Sequence, residues 1–410
     1  MSPPRTSLPA SPARIVSLDA LRGLVMFTMI FVNDLAGAPR EIVPDWMVHF
    51  SERHDNGSGM TFVDLVFPAF LFIVGLSIPF SLDKRGSLGT KLGHILARTL
   101  TLLAIGILMV NGEEGASNSW YVCMFASAIF AACQMGPKPG TPGNAAWKSV
   151  NFGLRLLGYA GLLFCALTLK HHDQAMLTLS PFHLHTSWYG ILGLIGWAYL
   201  AAAILFLVFR AHSTALLGCV ALMTSFYAAD RHGFFNHFWP AQFVDFGGTL
   251  GSQAAITVAG LLLSTILIRP ETGSPAARTK FTLLFIAGFA LAACLTTGLY
   301  GISKNAATPA WCFWADAITA GMWLIFYLIC DVKPVAWLSH PLASAGQNVL
   351  LAYLLSELLP SLLEAVHLGD WYTSLAAGSL LAAVARSATC GILILLITVG
   401  LNRTGFRLRI

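Results

Sequence analysis

Residues 61–82 read TFVDLVFPAFLFIVGLSIPFSL, a run with a single charged residue, Asp64, at its leading end. As an α-helix it would rise about 33 Å, enough to cross the hydrocarbon core of a bilayer. Its apolar residues follow one another without the alternation of a barrel strand, and in lipid the backbone must satisfy its own hydrogen bonds, so the run is a helix. The same reading extends outward in both directions. Candidate spans recur at 23–38, 61–82, 94–111, 119–135, 152–169, 188–209, 213–229, 249–268, 281–300, 309–330, 341–366 and 376–401. Hydrophobic residues make up 56% of the chain and charged residues 10%, with a mean hydropathy of +0.70. That composition excludes a soluble globular domain. The expected class is an all-α, polytopic helical membrane protein of about 12 transmembrane helices, with 10 also compatible because 213–229 is short and 341–366 is interrupted by Glu357 and Pro360.

Charge gives the chain a direction. With the amino terminus in the cytoplasm, eighteen Lys and Arg fall in inner segments, against Arg40, Arg53, Lys170, Arg231 and Lys304 in outer ones. This is the positive-inside pattern, and inverting the chain would violate it at nearly every loop. Histidines sort the other way: His49, His54, His171, His172, His183, His185, His232, His237 and His367 fall outside. The tail 1–14, rich in proline, reads as disordered and lacks a cleavage site, so it is not expected to be a removable signal. Residues 15–410 then form a single transmembrane domain, because no polar segment is long enough for a separate soluble one. The eight cysteines fall in or beside spans and form no CxxC pair, which reads as packing rather than a disulfide or zinc framework. The paired histidines at 171–172 and 183/185 lack a Cys or carboxylate partner, so no metal is expected.

Chemistry concentrates in the first hairpin. Ser17-Leu-Asp19-Ala-Leu-Arg22-Gly23 opens the first span, and Val32-Asn33-Asp34 lies near its far end. Trp46-Met-Val-His49 and Thr61-Phe-Val-Asp64-Leu-Val-Phe-Pro68 follow. Polar and ionisable groups at membrane depth are expensive and are functional candidates by default. A neutral imidazole beside a carboxylate is the arrangement for general base catalysis, and a nearby Asn can donate to a developing oxyanion. Each residue alone is as well explained as a helix-end polar group, Asp64 for instance as a cap of the second span. The set together favours catalysis.

These motifs resemble the heparan-α-glucosaminide N-acetyltransferase family of transmembrane acetyltransferases. Downstream, Phe243-Val-Asp245-Phe-Gly-Gly-Thr249-Leu resembles a further family segment, although its Glu is missing here. Ser303-Lys304-Asn305 with Trp311, Asp331-Val-Lys333 and Gly346-Gln-Asn348-Val-Leu-Leu-Ala-Tyr353 resemble others in the same order. The resemblance implies transfer of acetyl from cytoplasmic acetyl-CoA to an amino sugar across the membrane, with a His of the first outer loop working beside Asn33 and Asp64. Two histidines compete for that role. His49 keeps the Trp-x-x-His context and His54 keeps the spacing to Asp64.

Coenzyme A is polyanionic and needs a basic inner mouth. Most inner cations are explained by topology alone, but Arg22 and Arg98 sit at span boundaries; with Asp19 and Arg14 they are assigned to the donor side. Lys304, Asn305, Asp245 and Trp188 are assigned to the acceptor pocket, with an aromatic belt as the plainer reading of the outer tryptophans. The expected partners are acetyl-CoA, an amino-sugar or envelope-glycan acceptor and membrane lipid, without nucleic acid, and a homodimer stays open beside the monomer. The expected location is a bacterial inner membrane. A secondary transporter or flippase is the competing class, weakened by the lack of a repeat between the two halves and by chemistry confined to one hairpin.

Overall fold

The computed structural model describes all residues except 1–14, 55–56, 113–115, 137–143, 172–173, 180–181, 185–187, 211, 269–272 and 410. Arg14 and the tail 1–14 therefore lie outside the described residues, as do His172 and His185.

The architecture is all-α. Ten described helices are long and apolar enough to cross a membrane, and an eleventh crossing results if Ala336–Ala345 and Val349–Ala365, bent by 68° at their junction, count as one. Two segments account for the difference from twelve. The expected span 119–135 is a helix of only fifteen residues, Asn118–Ala132, and the expected span 341–366 is the bent pair. The 213–229 segment does form a long helix, Ser213–Arg231. Lys170–His171 pairs antiparallel with Gln174–Ala175, Leu177–Leu179 with Phe182–Leu184, and Cys133–Gln134 with Arg407–Leu408 near the carboxyl end.

Glycines set how closely the central helices approach. A Cβ on Gly75 would stand 1.8 Å from the Thr257 carbonyl oxygen, and one on Gly260 would stand 2.0 Å from that of Phe72. The helices Val66–Leu82 and Ala254–Ile268 thus meet backbone to backbone through two reciprocal glycines. A second pair does the same for the helix Val16–Leu35: Gly23 lies against the Leu342 carbonyl, and Gly346 against that of Asp19. Small residues allow such approach where no hydrophobic drive separates helix from lipid. The helix Val16–Leu35 is also capped from a distance. The Asp331 carboxylate accepts hydrogen bonds from the backbone N–H groups of Val16 and Ser17, at 3.1 and 3.3 Å, satisfying two of the four orphan donors. The first hairpin is therefore pinned at both faces, and its far end carries the site.

Candidate active site

The turn between the first two long helices begins at Ala36 and ends at Asp64. Within it a short helix, Phe50–Arg53, starts at His49, whose extended backbone turns the imidazole back toward the bundle. Asp64 sits in the turn Val63–Leu65 that leads into the next helix and is 2% exposed. Its Oδ1 lies 2.7 Å from His49 Nδ1. Its Oδ2 accepts from the Phe50 and Thr61 backbone N–H groups, both at 3.0 Å, and from the Thr61 hydroxyl at 3.4 Å. Thr61 Oγ1 also donates to the Val48 carbonyl at 2.7 Å, tying the two ends of the turn together. With Oδ2 fixed by two backbone N–H groups, Oδ1 holds the imidazole in one orientation, Nδ1–H toward Asp64 and Nε2 carrying the lone pair.

A third group joins them from the far half of the sequence. Ser58 Oγ accepts from Ile302 N at 2.8 Å, and Gly59 N donates to the Ile302 carbonyl at 3.0 Å. This pairing lays the 301–308 loop across the first turn. Lys304 Nζ then lies 3.1 Å from His49 Nε2 and 3.2 Å from Nδ1. Burial pulls the Lys304 ammonium below the usual lysine range, against the opposing pull of Asp64 and Glu52. Lys304 Nζ, nearly equidistant from the two ring nitrogens, thus puts a cation against the imidazole that Asp64 orients.

His54 is not part of this set. It is exposed, and its ring packs on Phe50 with centroids 4.6 Å apart. Asn33 and Asp34 sit at the same end of the first helix but turn to other partners. Asn33 Nδ2 donates to Glu357 Oε1 at 3.1 Å, which supplies the partner that sequence alone does not give this carboxylate. Asp34 is enclosed by Arg386 Nε at 3.0 Å, Ser387 Oγ at 2.6 Å and the Tyr372 hydroxyl at 2.6 Å. The Arg386 guanidinium also lies 4.9 Å from the centre of the Tyr372 ring. Asp34 is thus a structural clasp between the first and last long helices.

The residues assigned to the acceptor divide. Asn305 is exposed beside Lys304. Asp245 instead caps a π-helical turn, Gly248–Gln253, accepting from the Gly247 and Gly248 N–H groups at 2.8 and 2.9 Å. Trp188 is 46% exposed, and its carbonyl accepts from Asn111 at 2.9 Å. Sequence reading does not show the direct meeting of Lys304 with His49, since 255 residues separate them.

At the opposite end of the same hairpin, Arg22 donates to Asp19 at 3.3 Å and to the Ser77 hydroxyl. The Arg98 guanidinium lies 4.5 Å from the centre of the Tyr199 ring, a cation–π contact. Arg85 and Arg98 lie close enough to His94 to interact electrostatically, and Arg85 and Arg407 do so with Arg409. Burial and these like charges lower the Arg409 guanidinium from its ordinary range. Arg85 Nε, His94 Nε2 and Arg407 Nε are buried without a protein partner among the described residues. The carboxyl-terminal arginines thus bring positive charge that sequence reading leaves out of the donor side.

Fold and site together define a polytopic helical membrane protein with a part-exposed His paired to a buried Asp where its first two long helices meet. The profile of a family described as a domain of unknown function, DUF5009, matches residues 14–113, the segment that contains this pair. The chain is also 36% identical over 115 residues to human (Homo sapiens) heparan-alpha-glucosaminide N-acetyltransferase, covering 27% of this chain and 16% of that protein. The mouse (Mus musculus) protein of the same name is 36% identical over 106 residues, covering 25% of this chain and 15% of its own length. The likeness supports the relationship suggested by the motifs, over about a quarter of the chain and less than a fifth of these relatives.

Proposed function

We propose that the protein is a transmembrane acetyltransferase that moves acetyl from acetyl-CoA to the amine of a glucosamine-type sugar. The contact between His49, Asp64 and Lys304 carries this reading. His49 Nε2 takes a proton from the acceptor amine as its nitrogen attacks the thioester carbonyl. Asp64 steadies the imidazolium that forms. Lys304 is placed to stabilise the negative charge developing on the carbonyl oxygen, the role that Asn33, held by Glu357, does not fill from its present position. Collapse expels the CoA thiolate, which takes the proton from His49. The amide and free CoA thiol leave, and the imidazole is regenerated. An acetyl-histidine intermediate would use the same Nε2 as nucleophile.

The basic end of the hairpin, with Arg22, Arg98, Arg85, Arg407 and Arg409, would hold the CoA phosphates on the cytoplasmic side, and Arg14 at the head of the motif would add to it. Ser77 and Asp64 are about 20 Å apart along the helix axis, so the pantetheine arm would run beside the first hairpin to the site. Lys304, Asn305 and Trp188 face the acceptor side. The amino terminus is then cytoplasmic, in a bacterial inner membrane. The test is transfer of labelled acetyl from acetyl-CoA to glucosamine by the purified protein in detergent. Substrate uptake into liposomes without any transfer would replace this reading by a carrier.

A further inference from the structure

The helix Asn118–Ala132 lies close against the next one in the chain, Asn144–Thr168, and the two run antiparallel. Two glycines of the second helix remove the side chains that would hold them apart. A Cβ on Gly158 would run into the backbone of Ala131, and one on Gly161 into the side chain of Ser127. Toward the other end of the contact, Trp120 Nε1 donates to the Thr168 hydroxyl at 3.3 Å. Small residues allow backbones to approach in this way where lipid gives no hydrophobic drive.

These contacts fix the register of the pair. On the first helix, Cys123 stands three residues after Trp120 and four before Ser127. On the second, Cys165 stands three residues before Thr168 and four after Gly161. Steps of three and four return a helix to the same face, so both cysteines fall on the seam, opposite one another. Their thiols interact directly. Cys123 is exposed and Cys165 buried, and both are free thiols in this structure. Sequence reads them as packing residues, because no CxxC marks a pair this far apart in the chain. A disulfide needs Cα atoms about 4.4–6.8 Å apart, a range that backbone contact through glycine brings within reach.

We propose that Cys123 and Cys165 form a disulfide that staples the short helix to the long one on the His49 side of the membrane. The side rests on the reading of the amino terminus as cytoplasmic, and the staple is independent of acetyl transfer. Fifteen residues rise only about 22 Å, short of the roughly 30 Å hydrocarbon core, so this helix takes its place in the bundle from its neighbours. A thiol pair on the outer side meets an oxidising compartment. There the exposed Cys123 thiolate attacks a disulfide-bearing oxidant of the thiol–disulfide oxidoreductase class, expelling one oxidant thiolate and leaving a mixed disulfide. Cys165 then attacks the Cys123 sulfur and expels the second. Two protein thiols are oxidised, the oxidant disulfide is reduced to two thiols, and the protons lost by the cysteines end on them.

The test uses the full chain in its own membranes, quenched with N-ethylmaleimide before extraction and digested without reductant. Peptide mass spectrometry should find one peptide joined to another through Cys123 and Cys165, separating on reduction. Thermal unfolding of the purified protein in detergent should fall by several degrees on reduction, and Cys123→Ala should lose that shift. Should Cys123→Ala not fold, the peptide measurement on the wild type decides alone. Maleimide on both cysteines, in membranes and again after treatment with diamide, would overturn the proposal. A link found only after diamide would overturn it as well. Labelling of Cys123 by a membrane-impermeant maleimide in intact, reduced spheroplasts then tells whether the topology failed with the staple.

Discussion

His49 Nδ1 and Asp64 Oδ1 stand 2.7 Å apart, joined by a turn whose remaining contacts serve to keep them there. Thr61 bonds to both Asp64 and the Val48 carbonyl, and Phe50 N–H holds the second carboxylate oxygen. Residues 48–50 and 61–64, at the two ends of that fifteen-residue separation, thus close a frame around one imidazole. Replacing His49 by Ala should lower acetyl transfer by about 10³-fold or more, whereas His54→Ala should stay close to wild type. Retention of activity in His49→Ala with loss in His54→Ala would reverse the assignment.

Asp64→Asn probes orientation rather than charge alone. The amide presents an N–H where the carboxylate accepted, so the imidazole is driven into the wrong tautomer. The rate should fall about 10²- to 10⁴-fold while KM for acetyl-CoA changes little. A large rise in KM with unchanged kcat would instead give Asp64 a binding role.

Lys304 separates stabilisation of the transition state from acceptor binding. Lys304→Met should reduce kcat about 10²- to 10³-fold and leave the acceptor KM within a few-fold, the pattern for a donor engaged in the transition state. The pH profile carries a second signature. Because burial lowers the Lys304 ammonium, its charge is lost at a lower pH than for an exposed lysine. Activity should therefore decline on the alkaline side early, and Lys304→Arg should move that limb to higher pH.

Much of the fold was legible because membrane helices announce themselves by length and apolarity, as in 61–82. The count was less legible at Asn118–Ala132 and at the bent pair ending in Ala365, where a short helix and a 68° bend leave the apolar signal unchanged. The site was half legible. His49 and Asp64 share one turn, so local sequence brings them within reach, but that the carboxylate meets His49 rather than His54 depends on the frame made by Thr61 and Val48. Asn33 and Asp34 carry the same sequence signal as Asp64, and only their remote partners, Glu357 and Arg386, show that they face elsewhere. Lys304 was visible as a motif residue, and its contact with His49 was not, because the Ser58–Ile302 bridge is tertiary.

The clasp at Asp34 should govern stability without touching chemistry. Arg386 is 4% exposed at the side chain and Asp34 is 12% exposed, so removing one partner leaves the other buried and unpaired. Asp34→Ala or Arg386→Ala should each destabilise by about 3–5 kcal/mol, seen as a lower unfolding temperature in detergent. The double replacement Asp34→Leu with Arg386→Met should recover much of that loss, since an apolar pair removes the uncompensated charge. Strictly additive losses in the double variant would show that the pair does not act as a unit.

At the opposite end, the charge cluster makes a prediction about the donor alone. Arg409 is remote in sequence from Arg85 and Arg98, and the short ladder of Cys133–Gln134 with Arg407–Leu408 holds it in place. If this end receives the phosphates of CoA, Arg409→Glu should raise KM for acetyl-CoA by about tenfold or more through lost attraction and added repulsion. The acceptor KM should not move. The acetyl-CoA KM of the wild type should also rise with salt, more steeply than that of the variant, because exposed phosphates are screened within about a Debye length. A KM that ignores both the charge reversal and the salt would place the donor elsewhere on the protein, with the chemistry at His49 untouched.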